Sequence, residues 1–140
     1  MTRDDIPLVA LVALLLGTLA RTPAHAPPKR KAEADRFQLL SLPMQARVAQ
    51  LLATVLHRTG VRLVLGSTLR TVAEQEALYR AGKSRVRGAN APHVRGVAVD
   101  VYEPAGAPAV FRRTWQAVAR ELGWHGMYSW DAGHLERRDT

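Results

Sequence analysis

The sequence predicts an α+β fold, a small, mostly antiparallel sheet with helices packed on it. Three observations predict it. Apolar residues recur at helical spacing in three separate stretches. Short valine-, leucine- or aromatic-containing runs lie between and after them. The resulting order is helix, strand, helix, strand, helix, strand, strand, with no internal repeat. A chain of 140 residues favours one domain.

Residues 6–20 are apolar apart from one threonine. As a helix this run reaches ~22 Å at ~1.5 Å per residue, short of the ~30 Å hydrocarbon core of a bilayer. It suits a signal peptide or a weak membrane anchor. Arg3 gives a positive start that Asp4 and Asp5 cancel. Ala24-His25-Ala26 is a cleavage candidate, with Pro27 a poor neighbour for it. Residues 27–36 mix prolines with dense charge and read as a linker. The organisation expected is therefore 1–26 signal or anchor, 27–36 linker and 37–140 folded domain.

Within the domain, Met44, Val48, Leu51, Leu52, Val55 and Leu56 form one helical face over residues 43–59. Ser41 or Leu42 caps this helix, Pro43 sits in its first turn, and Gly60 ends it. His57, beside the apolar stripe near the helix end, reads as a surface histidine. Residues 61–65 form a short strand and 66–70 a turn. A second helix spans 72–81, with Ala73, Ala77 and Leu78 inward. Thr71 and Glu74 have the capping-box spacing at its start. A basic loop follows, carrying Lys83, Arg85 and Arg87. Residues 96–101 alternate, so Val97, Val99 and Val101 share one face and Asp100 the other. A third helix over 109–122 turns Val110, Trp115, Val118, Ala119 and Leu122 to one side. Residues 124–128 are a strand, 131–133 a turn and 134–137 a terminal strand.

There are no cysteines, which excludes disulfides and thiolate metal sites. Any metal must be held by His, Asp or Glu. The formal charge of +8 favours an anionic partner. Aromatic content of 6%, with no basic motif interleaved with aromatics, argues against a nucleic-acid platform.

His93 stands seven residues before Asp100, and Asp131 three before His134. Two imidazoles and one carboxylate are the ligand set of an open zinc site. His93, Asp100 and His134 are the candidate ligands of one Zn²⁺, with the fourth position left for water. Asp131 is placed to move protons as the general base. Arg70 is a natural clamp for a carboxylate or an oxyanion. His125 is the rival ligand, in an apparently buried strand, although its spacing to Asp131 fits no common pair.

These residues resemble the zinc peptidases of peptidoglycan that group D-alanyl-D-alanine carboxypeptidases with phage L-alanyl-D-glutamate endopeptidases. The resemblance runs from about Leu42 to Glu136. The family's SGYRS-like motif is Ser67-Thr68-Leu69-Arg70-Thr71 here, followed by Glu74-Gln75 and Leu78-Tyr79. Its SxHxxGxAxD motif is residues 91–100, and its final motif Asp131 to His134 followed by Glu136. The resemblance implies zinc on His93, Asp100 and His134, Asp131 as the base, Arg70 holding substrate and Gln75 close to the site. It also implies the small α+β fold shared with the hedgehog signalling domain. Aspartate at position 131 resembles the endopeptidase branch. Ala91 replaces the usual serine and Thr68-Leu69 the usual Gly-aromatic pair, and neither change removes a ligand.

The expected activity is therefore cleavage of peptidoglycan stem peptides, as an L-alanyl-D-glutamate endopeptidase acting as a phage or prophage lysin. The chain is expected to be a monomer with peptidoglycan, not nucleic acid, as partner. It is expected to be exported, periplasmic or held at the inner membrane through residues 6–20 and facing the periplasm. The alternatives are a D-alanyl-D-alanine carboxypeptidase or dipeptidase, and a non-catalytic zinc-containing wall-binding module.

Overall fold

The structure, a computed structural model, describes residues 36–138. The apolar run 6–20, the cleavage candidate and all of the linker except Arg36 lie outside the described residues. Among the described residues, no helix is long and apolar enough to cross a membrane.

A short 3-10 turn, Arg36–Leu39, buries Phe37. Helix α1 (Leu42–Thr59) follows. The Ser41 hydroxyl accepts from the Met44 amide at its start, and Gly60 closes it in the left-handed conformation. Met44, Val48, Leu51 and Val55 are buried along one face, each contributing roughly 1.5–3 kcal/mol of transfer free energy. Helix α3 (Phe111–Glu121) packs on α1 and buries Phe111, Trp115, Val118 and Ala119. Phe111 takes the place expected of Val110, which is 63% exposed just before the helix begins.

Among the described residues, four strands complete an α+β fold: β1 (Val64–Leu65), β2 (Ala98–Tyr102), β3 (His125–Tyr128) and β4 (Asp131–Glu136). Their order in the sheet is β1-β2-β4-β3, with every neighbouring pair antiparallel. Val99 and Leu135 pair across β2 and β4, and both are fully buried in the core under α1 and α3. Residues 61–63 stay outside the ladder, so β1 is shorter than the expected 61–65 strand. The turn before the last strand is Ser129-Trp130, and residues 131–133, expected as a turn, already belong to β4. Tyr128, the last residue of β3, pairs with Asp131, the first of β4, across that two-residue turn.

Helix α2 (Val72–Arg80) departs most from expectation. Its capping box is present. Ala73 and Ala77, expected inward, are exposed, and the one buried residue is Gln75. Alanine carries too little apolar surface to anchor a helix. Polar bonds hold α2 instead: Arg36 makes two bonds of 2.6 and 2.7 Å to the Glu74 carboxylate, and Gln75 bonds inward to the loop that follows.

Candidate metal centre

The β2–β4 register builds the site. Asp100 pairs with His134. The Asp100 amide donates to Ser67 O at 2.8 Å, and its carbonyl accepts from the Gly66 amide at 2.7 Å. Both backbone groups of Asp100 are thus engaged on the β1 side. Asp100 and His134 therefore form a non-hydrogen-bonded antiparallel pair, the closer kind, with side chains adjacent. His93 arrives from the turn before β2, which is held against the start of α2 by an Arg70 amide bond to the His93 carbonyl.

Asp100 Oδ1 lies 3.1 Å from His93 Nε2 and 3.1 Å from His134 Nδ1. The other nitrogen of each ring has its own acceptor. His93 Nδ1 donates to the Thr68 carbonyl at 2.8 Å, and His134 Nε2 to Glu136 Oε1 at 2.8 Å. These partners select the tautomers. Each neutral ring then presents a lone pair towards Asp100 Oδ1. Three acceptors aimed at one point cannot satisfy one another; they require protons or a cation between them. One ligand atom from each residue lies within 4.8 Å of the others. The two 3.1 Å separations are close to the roughly 3.4 Å edge of a tetrahedron built on ~2.1 Å bonds. The donor set fits a borderline divalent ion such as Zn²⁺.

The electrostatics agree with the geometry. Burial works to raise the Asp100 pKa, but the hydrogen bonds from His134 and His93 outweigh it and hold the carboxyl well below the usual range. Burial disfavours charge on His134, yet its bonds to Asp100 and Glu136 win and raise its pKa. Asp131 moves the other way. The residue is exposed at the strand edge, but partial desolvation of its carboxyl, then repulsion from Asp100, raise its pKa against the pull of His134, His93 and Arg70. Asp131 thus lies within electrostatic reach of Asp100, both imidazoles and Arg70, with its carboxyl held above the usual carboxylate range.

Arg70 has a side chain only 10% exposed, with Nη2 3.7 Å from Asp100 Oδ2. Its Nη1 donates to Gln75 Oε1 at 2.9 Å, and its Nε is buried with no hydrogen-bond partner. Gln75 Nε2 in turn donates to Ser84 Oγ at 2.8 Å and to the Val86 carbonyl. Gln75 thus joins Arg70 to the basic loop. His125 is exposed and lies outside the ligand group, so the rival reading of a buried ligand fails. Its strand is an edge strand, where alternation turns it to solvent. His57 is exposed on α1.

Two features escaped the sequence reading. Glu136 supports His134, and period-two alternation puts both on one face of β4, a signal present in the spacing. The Thr68 carbonyl orients His93 through the backbone, so no side-chain pattern announces it.

No family model matches the chain, and no curated protein matches it. Among solved structures, the chain is similar to the Serratia marcescens L-Ala D-Glu endopeptidase ChiX, with a TM-score of 0.55 and 23% identity. The match covers 75% of this chain and 85% of the Serratia chain. The likeness establishes a shared fold.

Proposed function

We propose that this protein is a metal-dependent peptidase of peptidoglycan stem peptides, with the L-alanyl-D-glutamate bond as its target and a phage or prophage lysin as its role. One observation carries the reading: two tautomer-fixed imidazoles and a carboxylate converge beside a second carboxylate of raised pKa. The fold, shared with an L-Ala D-Glu endopeptidase, supports the choice of substrate.

His93, Asp100 and His134 would hold the ion, with Zn²⁺ the default for this donor set. A bound divalent ion supplies Lewis-acid polarisation of a carbonyl and acidification of water. The chain's own groups do the rest. Asp131 takes a proton from the attacking water and returns it to the leaving amine. Arg70, beside Asp100, places positive charge where a substrate carboxylate or a developing oxyanion would lie. Gln75 keeps its guanidinium oriented.

The direct test is hydrolysis of purified murein by the full chain, with and without chelator, and by Asp131→Asn. New L-Ala C-termini and D-Glu N-termini are expected from the metal-loaded protein alone. Asp131→Asn should retain metal and lose ~10²- to 10⁴-fold in rate. Release of terminal D-Ala alone would assign the carboxypeptidase alternative. Chelator-insensitive cleavage would refute the metal mechanism.

We also propose export, on the apolar run 6–20 and the charged, proline-containing linker after it. The anionic wall that a +8 chain would meet lies across the membrane. Fractionation of expressing cells should find the protein in the membrane, or in the periplasm starting near Pro27. A full-length cytoplasmic species would contradict export.

A further inference from the structure

We propose that Arg85, held against Trp130 at the rim of the site, is a second anion subsite that takes a carboxylate of an acidic peptide substrate. This rests on the peptidase reading above.

The loop carrying Arg85 is tied to the site from beneath. Gln75, 2% exposed, donates to Ser84 Oγ and to the Val86 carbonyl, the residues on either side of Arg85. The same Gln75 accepts from Arg70. Arg85 is thus displayed at a fixed point relative to Arg70 and the metal ligands.

Its guanidinium is fixed as well. The guanidinium carbon lies 4.4 Å from the centre of the Trp130 ring. Trp130 stacks on Tyr128 with centroids 4.9 Å apart and planes within 2°. Tyr128 stacks on the His134 ring at 6.1 Å. Arginine, tryptophan, tyrosine and the candidate ligand His134 therefore form one column running from the loop to the metal centre. Trp130, 61% exposed, contacts both Tyr128 and Arg85 and so supports the guanidinium at the surface.

The cation is available. Arg36, Arg58, Arg87 and Arg112 bind Glu74, Glu121, Glu76 and Glu103. Among the described residues, Arg85 is exposed and makes no ion pair. Stacking engages the face of a guanidinium and leaves its N–H edge free for a planar carboxylate. Arg70 is nearly buried and turned to Asp100, which suits a carboxylate beside the reacting bond. Arg85, at the rim, suits one further along the same peptide. A D-Glu residue linked through one carboxyl keeps the other free, and a longer stem peptide adds a terminal carboxylate.

The test compares two synthetic tetrapeptides that begin L-Ala-D-Glu, one with every carboxylate free and one fully amidated. Zinc-loaded wild type, Arg85→Ala, Arg85→Lys and Trp130→Ala are assayed for kcat/KM. Binding of both peptides to zinc-loaded Asp131→Asn, with and without Arg85→Ala, is titrated in parallel. The wild-type preference for the acidic peptide is expected to fall about 10-fold in Arg85→Ala, mainly through KM, with Arg85→Lys and Trp130→Ala between. The lost preference should also shrink as salt rises. Equal losses on both peptides, or an unchanged preference, would overturn the subsite. Arg85-dependent binding of the acidic peptide without cleavage would uphold the subsite and sink the peptidase reading. Neither binding nor cleavage by a zinc-loaded wild type would remove both.

Discussion

Glu136 supplies the acceptor that keeps His134 Nε2 protonated and its Nδ1 lone pair turned towards Asp100. Removing such a partner typically costs ~10- to 100-fold in metal affinity. Glu136→Ala should weaken Zn²⁺ binding by about that factor in competition titrations, whereas His93→Ala or Asp100→Ala should abolish the single site by elemental analysis. Affinity should also depend on pH. The His134 pKa is raised in the metal-free protein, so its proton competes with metal from above the ordinary histidine range downward. Zn²⁺ affinity should therefore fall as pH drops through that raised value, with proton release on binding in calorimetry. A pH-independent affinity between pH 8 and 5 would contradict the assigned ligand set.

At the scale of elements, the site depends on how closely β2 and β4 approach. Gly133 precedes the candidate ligand His134, and a Cβ there would run into the Val101 carbonyl oxygen. Backbone cannot yield as a flexible side chain does, so Gly133→Ala must separate the strands that bring Asp100 and His134 together. Gly126, on β3, stands with φ +94 and would meet the His134 carbonyl. The next residue, Met127, has a positive φ of 56 at the register shift between Gly126 and Tyr128. That bulge aims Tyr128 at the His134 ring. Gly133→Ala is expected to lower stability by several kcal/mol and to abolish metal binding. A melting curve and zinc titration of Gly133→Ala matching wild type would refute this account of the sheet.

At the scale of the molecule, two carboxylates tie separate parts together. Glu74 joins α2 to Arg36 at the start of the domain. Glu103 accepts from Arg112 and from Trp115 Nε1, joining the end of β2 to α3. The Arg36 and Arg112 hydrogen bonds lower their pKa values from 4.5 to about 2. A depressed carboxylate stabilises the fold above its unfolded pKa and loses that contribution as pH falls through the folded one. The loss should therefore develop between about pH 4.5 and about pH 2. Both groups are partly exposed, which keeps each contribution modest. Urea unfolding at pH 5, 3.5 and 2 should show declining stability, with a shallower decline in Glu103→Gln. An identical decline in that variant would show that Glu103 contributes nothing.

Local signals in the chain were enough for the fold class, the α1 face, two helix starts and the three residues of the candidate metal group. Each of these is local: helical spacing, the hydroxyls of Ser41 and Thr71 at helix starts, and ligand-type side chains at fixed intervals. The sequence misjudged α2, because an alanine stripe looks amphipathic on a wheel while polar bonds of Glu74 and Gln75 to distant partners hold the helix. It favoured His134 over His125 on spacing alone, and the structure places His125 exposed on the edge strand, outside the ligand group. The pairing that sets Asp100 beside His134 belongs to the tertiary structure, since a register is a relation between segments far apart in the chain. The tautomers and the Arg85–Trp130 column likewise arise from contacts between distant segments, which no local pattern encodes.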